Sequence, residues 1–375
     1  YLIKDINTAS GARDLNQTAF WNARWDGNAV ATTDQLGNTV NSGLGVQLVN
    51  VDNNAYANDL LLTASLANYG ARADAGIIYL IKDIHSVSGI RAFTTVGTYH
   101  AAWVGGNSWA PGQTNGSGLG VQLFDVNGDG YTNDLFITAY NADVNNRADS
   151  GMVVYVADIN SIIGMQDLNT ADTSVYHTRW NGGANTDRAG SPNTTNTIGG
   201  TFSPRVQVVN LDGNLGRNDV FIPVALADFN AGANRGALYV IKDVNTIRGT
   251  FDLNAPASYS IAWYGGAAND DLTQNNHQDP SVQLVNIDNN ALPNDILISA
   301  VLADVNGKTN SGAVYLIKDV SHLANGRYYL GHNSHYSVRW NGGAGEQLGD
   351  TNNSRQGVQL VNLDNNAWAN DLLIT

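Results

Sequence analysis

Three landmarks recur through this chain at nearly fixed spacing, and the repetition constrains the fold more than any other feature. A Tyr-(Leu/Val)-Ile-Lys-Asp segment stands at residues 1–5, 79–83, 239–243 and 315–319, with a shorter version at 155–158. Each of these tyrosines is followed after 24 or 25 residues by a tryptophan: Trp25, Trp103, Trp180, Trp263 and Trp340. A glutamine within a short apolar stretch (Gln47, Gln122, Gln207, Gln283, Gln359) precedes the next tyrosine by 32 or 33 residues wherever both are present. Only the interval from tryptophan to glutamine varies, from 19 to 27 residues. Insertion is tolerated where a segment is exposed, so this interval is a surface loop. Its longest copy, about residues 182–203, is rich in Asn, Thr and Gly.

One repeat reads as four strands, at about residues 46–51, 60–64, 77–84 and 99–104. Each is rich in Val, Ile, Leu or Tyr and is bounded by turn-forming residues. The apolar runs do not alternate strictly, which predicts sheets covered on both faces. No stretch has a helical period. A short turn is expected near 160–165. Five units of four short strands predict an all-β protein, a β-propeller of five four-stranded blades spanning 1–375 as one domain. The last and first half-repeats would share one blade, closing the ring. The rival reading is a window on a longer array, or a filament of adjoining copies.

Between the glutamine strand and the next strand, each repeat carries a loop of oxygen-bearing side chains. The fullest is Asp125-Val126-Asn127-Gly128-Asp129-Gly130-Tyr131-Thr132-Asn133-Asp134-Leu135. Further on comes Asp149-Ser150-Gly151-Met152-Val153-Val154-Tyr155. This pattern resembles the FG-GAP repeats of integrin α-chain propellers and their bacterial relatives, over nearly the whole chain. The resemblance implies a propeller fold and calcium-loop ancestry. It leaves function open, because such propellers serve adhesion proteins, lectins and enzymes.

Calcium takes six to eight hard oxygen ligands and binds more tightly as carboxylates are added. Alternate positions of a tight loop can converge on one ion. Asp125, Asn127, Asp129 and Asp134, with the Tyr131 carbonyl, are therefore the leading calcium ligands. The other loops offer weaker sets: Asn50, Asp52, Asn54 and Asp59; Asn210, Asp212, Asn214 and Asp219; Asn286, Asp288, Asn290 and Asp295; Asn362, Asp364, Asn366 and Asp371. The competing reading is a turn whose Asn and Asp oxygens cap its own backbone N–H groups.

The net charge is −14 and only 14% of residues are charged. An acidic, lysine-poor surface argues against nucleic acid. The absence of cysteine excludes disulfides and thiolate zinc sites. No apolar run approaches the ~20 residues of a membrane helix. The chain opens in mid-repeat without Met, as a processed or partial product would. Together these features suggest an extracellular or cell-surface microbial protein.

The five in-register tryptophans read as packing residues between blades. Trp21, Trp109 and Trp368 fall outside the register and are expected to be exposed, Trp109 being the candidate ligand contact. The seven histidines, His332 and His335 included, show no metal-protease spacing. Asp270, Asp271 and Asp279 read as solvated loop charges. Sequons at Asn16, Asn115, Asn193 and Asn352 offer sugar attachment sites. No catalytic motif is present. The expected role is structural or adhesive, in a larger surface or filamentous assembly, through self-association or contact with other surface proteins or glycans. A lectin-like propeller is the alternative, and a polysaccharide-degrading enzyme the third reading.

Overall fold

The computed structural model describes residues 1–27, 36–37, 45–93, 97–109, 120–170, 172–189, 206–214, 218–229, 232–273, 282–349, 357–364 and 369–375. The protein is all-β, and its strands fall into six sheets in series. Each full repeat contributes five strands. In the first they are a Gln strand (Val46–Val49), an Asp strand (Asp59–Ala64), a Tyr strand (Ile77–Ile81), a short Gly strand (Gly89–Ala92) and a Trp strand (Ala101–Val104). The Gln, Asp, Tyr and Trp strands form an antiparallel meander.

The Gly strand does not join that meander. It pairs in parallel with Ala23–Asp26, the Trp strand of the preceding sheet. Gly164–Asp167 does the same to Ala101–Val104, Gly249–Asp252 to Thr178–Asn181, and Gly326–Tyr329 to Ile261–Tyr264. Each of the four full repeats thus reaches back, gives a strand to its predecessor, and returns to finish its own sheet. This fifth strand was not foreseen from the sequence, which read four per repeat.

The detour has a local cause. After the Tyr strand, Asp83 takes a left-handed conformation with φ 55°, and one 3-10 turn follows at Ile84–Ser86. The other four repeats make the same turn, including Ile159–Ser161 where a short turn was predicted. Gly89 then re-aims the chain with φ 77°. A Cβ there would meet open space, so the glycine serves the backbone angle rather than a close approach.

The Asp and Tyr strands of the four full repeats are buried along their whole length, as sheets covered on both faces require. Alternate residues face opposite neighbours. Leu135 and Ile137 pack with Leu61, Ile78 and Trp103 of the sheet before. Phe136 packs the other way, with Val220 and Ile222 of the sheet after. Further apolar layers join the first sheet to the second, the fourth to the fifth and the fifth to the sixth.

Polar ties reinforce the stack. Gln47 Nε2 donates to the Val121 carbonyl of the next Gln strand at 3.1 Å, and Gln207 and Gln283 repeat this to Val282 and Val358 at 3.0 and 2.8 Å. The Arg72 guanidinium grips both oxygens of Asp167, at the end of the donated strand, at 2.8 and 2.7 Å. That guanidinium holds the Asp167 carboxyl below the usual carboxylate range. Arg147 and Asp252 repeat the clamp at 2.7 Å.

The three middle sheets have five strands, the fifth sheet has four, and the first and last have two each. Among the described residues no strand of the first sheet pairs with the last, so the expected closure into a ring is not visible in the pairing. No helix among the described residues is long and apolar enough to cross a membrane.

Candidate functional site

The Asn/Asp loops connect each Gln strand to its Asp strand. Their closing aspartate begins the Asp strand, and its carboxylate is the hub. Asp59 accepts the Val51 N–H at 2.8 Å and the Asp83 N–H at 2.9 Å. Asp134 receives Val126 and Asp158 in the same way, Asp219 receives Leu211 and Asp243, and Asp295 receives Ile287 and Asp319. All four are fully buried. Each ties the start of the loop to the end of the Tyr strand 24 residues on. Burial pushes the Asp134 and Asp219 carboxyls up, and the N–H donors pull them back.

The second loop spends its oxygens on its own backbone. Asp125 accepts the Gly128 and Gly130 N–H groups, Asn127 accepts Asp129, and Asp129 accepts Tyr131, all between 2.8 and 3.0 Å. Asn127 Nδ2 also donates to Asp129. This is the capped-turn geometry, and it does not gather Asp125, Asp129 and Asp134 around a point as a calcium site there would need.

Carboxylates gather elsewhere. Asp52, Asp59 and Asp83 bring oxygens within 4.8 Å of one another, as do Asp212, Asp219 and Asp243, and Asp288, Asp295 and Asp319. Among the described residues, the gathered carboxylates thus lie outside the loop that the sequence ranked first. The third loop position decides: it is Asp in these three loops and Asn127 in the second. The third member of each cluster is the left-handed Asp after the Tyr strand, which was read as a strand end rather than a ligand. Its recurrence in every repeat was the available signal. Amide groups crowd the same carboxylate: Asn58 Nδ2 donates to Asp83 at 3.0 Å, and Asn214 and Asn218 donate to Asp243 at 2.6 and 3.0 Å. The donor set suits a hard divalent cation that displaces these amides. Asp364 and Asp371 belong to the fifth loop, and Asn366 lies outside the described residues.

Trp103, Trp180 and Trp263 are fully buried, as packing residues should be. Trp21 and Trp109 are also buried, contrary to expectation. The Trp109 indole packs where a Gly106 side chain would stand, in the layer between the second and third sheets, so it presents no open ring to a ligand. Trp368, His277, Asp279 and the sequons at Asn115, Asn193 and Asn352 lie outside the described residues.

Asp270 and Asp271 are buried rather than solvated. Asp270 accepts the Ala267 N–H at 2.8 Å and the Asp304 N–H of the next sheet at 3.4 Å. Asp187 bridges Ala184 and Asp228 in the same manner, at 2.7 and 3.2 Å. Both therefore serve as cross-sheet braces. Burial raises Asp187 to about 7, and burial with the adjacent Asp270 charge raises Asp271 to about 7. A carboxyl raised in the fold binds its proton more tightly there than in the unfolded chain. Its stabilising contribution is full below the unfolded value near 3.8 and is lost as pH rises through about 7. Urea melts from about pH 4 to about pH 8 should show this loss, and the double variant Asp187→Asn/Asp271→Asn should flatten it, by up to about 4 kcal/mol per group. An unchanged slope would contradict the assignment.

No known protein family and no curated protein matches the chain.

Proposed function

We propose that this chain is an extracellular structural and adhesive protein of a microbial surface, built from FG-GAP-like propeller blades and acting by assembly rather than catalysis. The observation that carries the reading is the strand given backward by each of the four full repeats, which joins the first five sheets into one mechanically continuous body. Backbone pairing, apolar layers, the Gln ties and the Arg–Asp clamps all run along the same axis. The first and last sheets are read as two halves of one blade, the fifth: residues 357–375 supply its Gln and Asp strands, and residues 1–26 its Tyr and Trp strands.

Calcium is assigned to the three clusters at Asp52, Asp212 and Asp288, where it would stiffen the loops along one edge of the stack. Partners are other copies, other surface proteins or glycans. The lectin alternative loses its aromatic contact with the burial of Trp109.

Sedimentation velocity over rising protein concentration, with and without calcium, tests the reading. Concentration-dependent growth into larger species, enhanced by calcium, is expected. A species that stays monomeric at the highest concentration with calcium present would sink it.

A further inference from the structure

In the second and third sheets an arginine and an aspartate close the seam where a donated strand arrives. In the fourth sheet the guanidinium remains and the carboxylate is gone. We propose that this gap is a ligand site, which takes the carboxylate of a small organic acid of sugar-acid size, such as a uronate. The site is complete within one chain and does not depend on assembly.

The occupied seams define what is missing. Arg72 Nη1 donates to the Gly105 carbonyl at 3.0 Å, and the same guanidinium holds both oxygens of Asp167. Arg147 Nη1 donates to the Gly182 carbonyl at 2.9 Å and to Asp252 at 2.7 Å. Each of these aspartates also accepts the backbone N–H two residues on, from Asn169 and Asn254, at 2.9 Å. One carboxylate thus serves two donors, a guanidinium and an amide.

The fourth seam keeps both donors. The turn position of Arg72 and Arg147 is Gly232 there. Arg235, three residues later, reaches back across it, and a Cβ on Gly232 would lie 2.1 Å from the Arg235 Nε. Arg235 Nη1 then donates at 3.3 Å to the carbonyl of Gly265, the counterpart of Gly105 and Gly182, and at 3.1 Å to that of Gly266. A guanidinium is therefore delivered to the usual place from a different position in the chain. The amide is kept as well. A Cβ on Gly183 would lie 3.0 Å from the Asn254 nitrogen, and one on Gly266 would lie 2.9 Å from the Gly331 nitrogen, so the two amides sit alike.

The acceptor is what differs. The donated strand here is Gly326–Tyr329, and Tyr329 holds the place of Asp167 and Asp252. Gly331 stands where Asn169 and Asn254 stand in the other seams, which removes a second side chain. Among the described residues Arg235 has no carboxylate partner and the Gly331 N–H has no acceptor. A pocket of about 380 Å³ opens at this point, lined by Arg235, Gly266, Tyr329, Gly331 and His332.

A guanidinium beside a free N–H matches a carboxylate, whose two oxygens can accept from both. Asp270 lies behind Gly266 but is turned onto the Ala267 and Asp304 N–H groups, so it takes neither donor. Asp187 stands in the same place in the third seam, beside the Asp252 carboxylate, so a buried group there does not bar an anion. The volume exceeds what a bare carboxylate fills and falls within the ~300–1,000 Å³ of small-molecule sites. One wall is the Tyr329 ring, braced by Phe229 at 5.3 Å and Tyr264 at 6.1 Å, with His332 edge-on to it at 6.2 Å. Arg327 lies over the Phe229 ring at 4.8 Å and adds a second cation to this aromatic group. A braced aromatic wall beside a cation suits a ligand with C–H groups along one face and a carboxylate at one end.

Nuclear magnetic resonance titration of the isotopically labelled chain tests this, with sodium glucuronate, sodium acetate and glucose at matched ionic strength. Glucuronate should move the Gly331 amide proton downfield and saturate. Acetate should move it the same way with weaker affinity, and glucose should leave it in place. No saturable shift with either acid would overturn the site. A response to glucose equal to that of glucuronate would overturn recognition of the carboxylate, and acetate binding as tightly as glucuronate would overturn the sugar-acid size. Arg235→Gln should weaken glucuronate binding about tenfold or more. Arg72→Gln, whose parent guanidinium already holds a carboxylate, should leave it unchanged. Tyr329→Asp returns the internal carboxylate and should abolish binding. Parent-like binding by Arg235→Gln or Tyr329→Asp, or equal losses in Arg235→Gln and Arg72→Gln, would overturn the proposal.

Discussion

Replacing Trp180 with alanine is expected to destabilise the chain by about 3–5 kcal/mol, the range for removing a large aromatic from a packed core. Trp180 is fully buried in the apolar layer between the third and fourth sheets. It lies between two strands of its own sheet, opposite Val153 in antiparallel register and opposite Phe251 of the donated strand in parallel register. Its Nε1 finds no hydrogen-bond partner among the described residues, so its contribution there is apolar packing. The surrounding strands are pinned by their ladders and cannot collapse into the space. Trp340, in the four-stranded fifth sheet, is only half-buried, and the same change there should cost about half as much. Urea denaturation followed by far-ultraviolet circular dichroism measures both. A loss below about 1 kcal/mol at Trp180 would contradict the packing role.

The second large effect concerns the donated strands. Gly164 and Leu168 donate backbone N–H groups to the His100 and Val104 carbonyls of the preceding sheet at 2.7 and 2.8 Å. Inward-facing amides alternate along a strand, so the Gln166 N–H, opposite Trp103, faces inward too. Gln166→Pro removes that donor and forces the ring against the Trp strand, a loss of about 3 kcal/mol or more. Gln166→Ala keeps the amide and should stay within about 1 kcal/mol of the parent. The contrast separates the backbone ladder from the side chain. Comparable losses in both would mean that the strand is held by side-chain contacts alone.

Much of the repeat was legible because burial on both faces leaves a plain signature. Runs such as Leu60-Leu61-Leu62 and Ile77-Ile78-Tyr79-Leu80-Ile81 have no polar residue to spare for solvent, and they became the interior strands. The tryptophan register marked the layers between sheets for the same reason. The donated strand was not legible. Gly89-Ile90-Arg91-Ala92 is short, begins with glycine and is largely exposed on its outer face, so nothing in its composition separates it from a loop. Which strand it pairs with depends on the path after a left-handed Asp, a property of the backbone that residue patterns do not report.

The loops look different in sequence and in geometry. Counting acidic residues within residues 125–134 favoured that loop, yet Asp125 and Asp129 are turned onto their own N–H groups. The residue that completes each carboxylate cluster, such as Asp83, comes from outside the loop and is brought in by Asp59 through the backbone. Trp109 was misjudged because a glycine-rich setting suggests exposure, whereas Gly106 supplies the room into which the indole packs.

The central claim is that each repeat is locked to its predecessor by a strand it gives away. Hydrogen exchange at the Gly164, Leu168, Gly249 and Leu253 amides tests it most directly, because these donors reach the sheet before their own at 2.7 to 3.0 Å. The account predicts that they exchange as slowly as the amides of the Tyr strands Ile77–Ile81 and Met152–Val156, through the same cooperative opening. Fast exchange at these four amides while the Tyr strands stay protected would show strands that lie against their neighbours without locking them, and would contradict it.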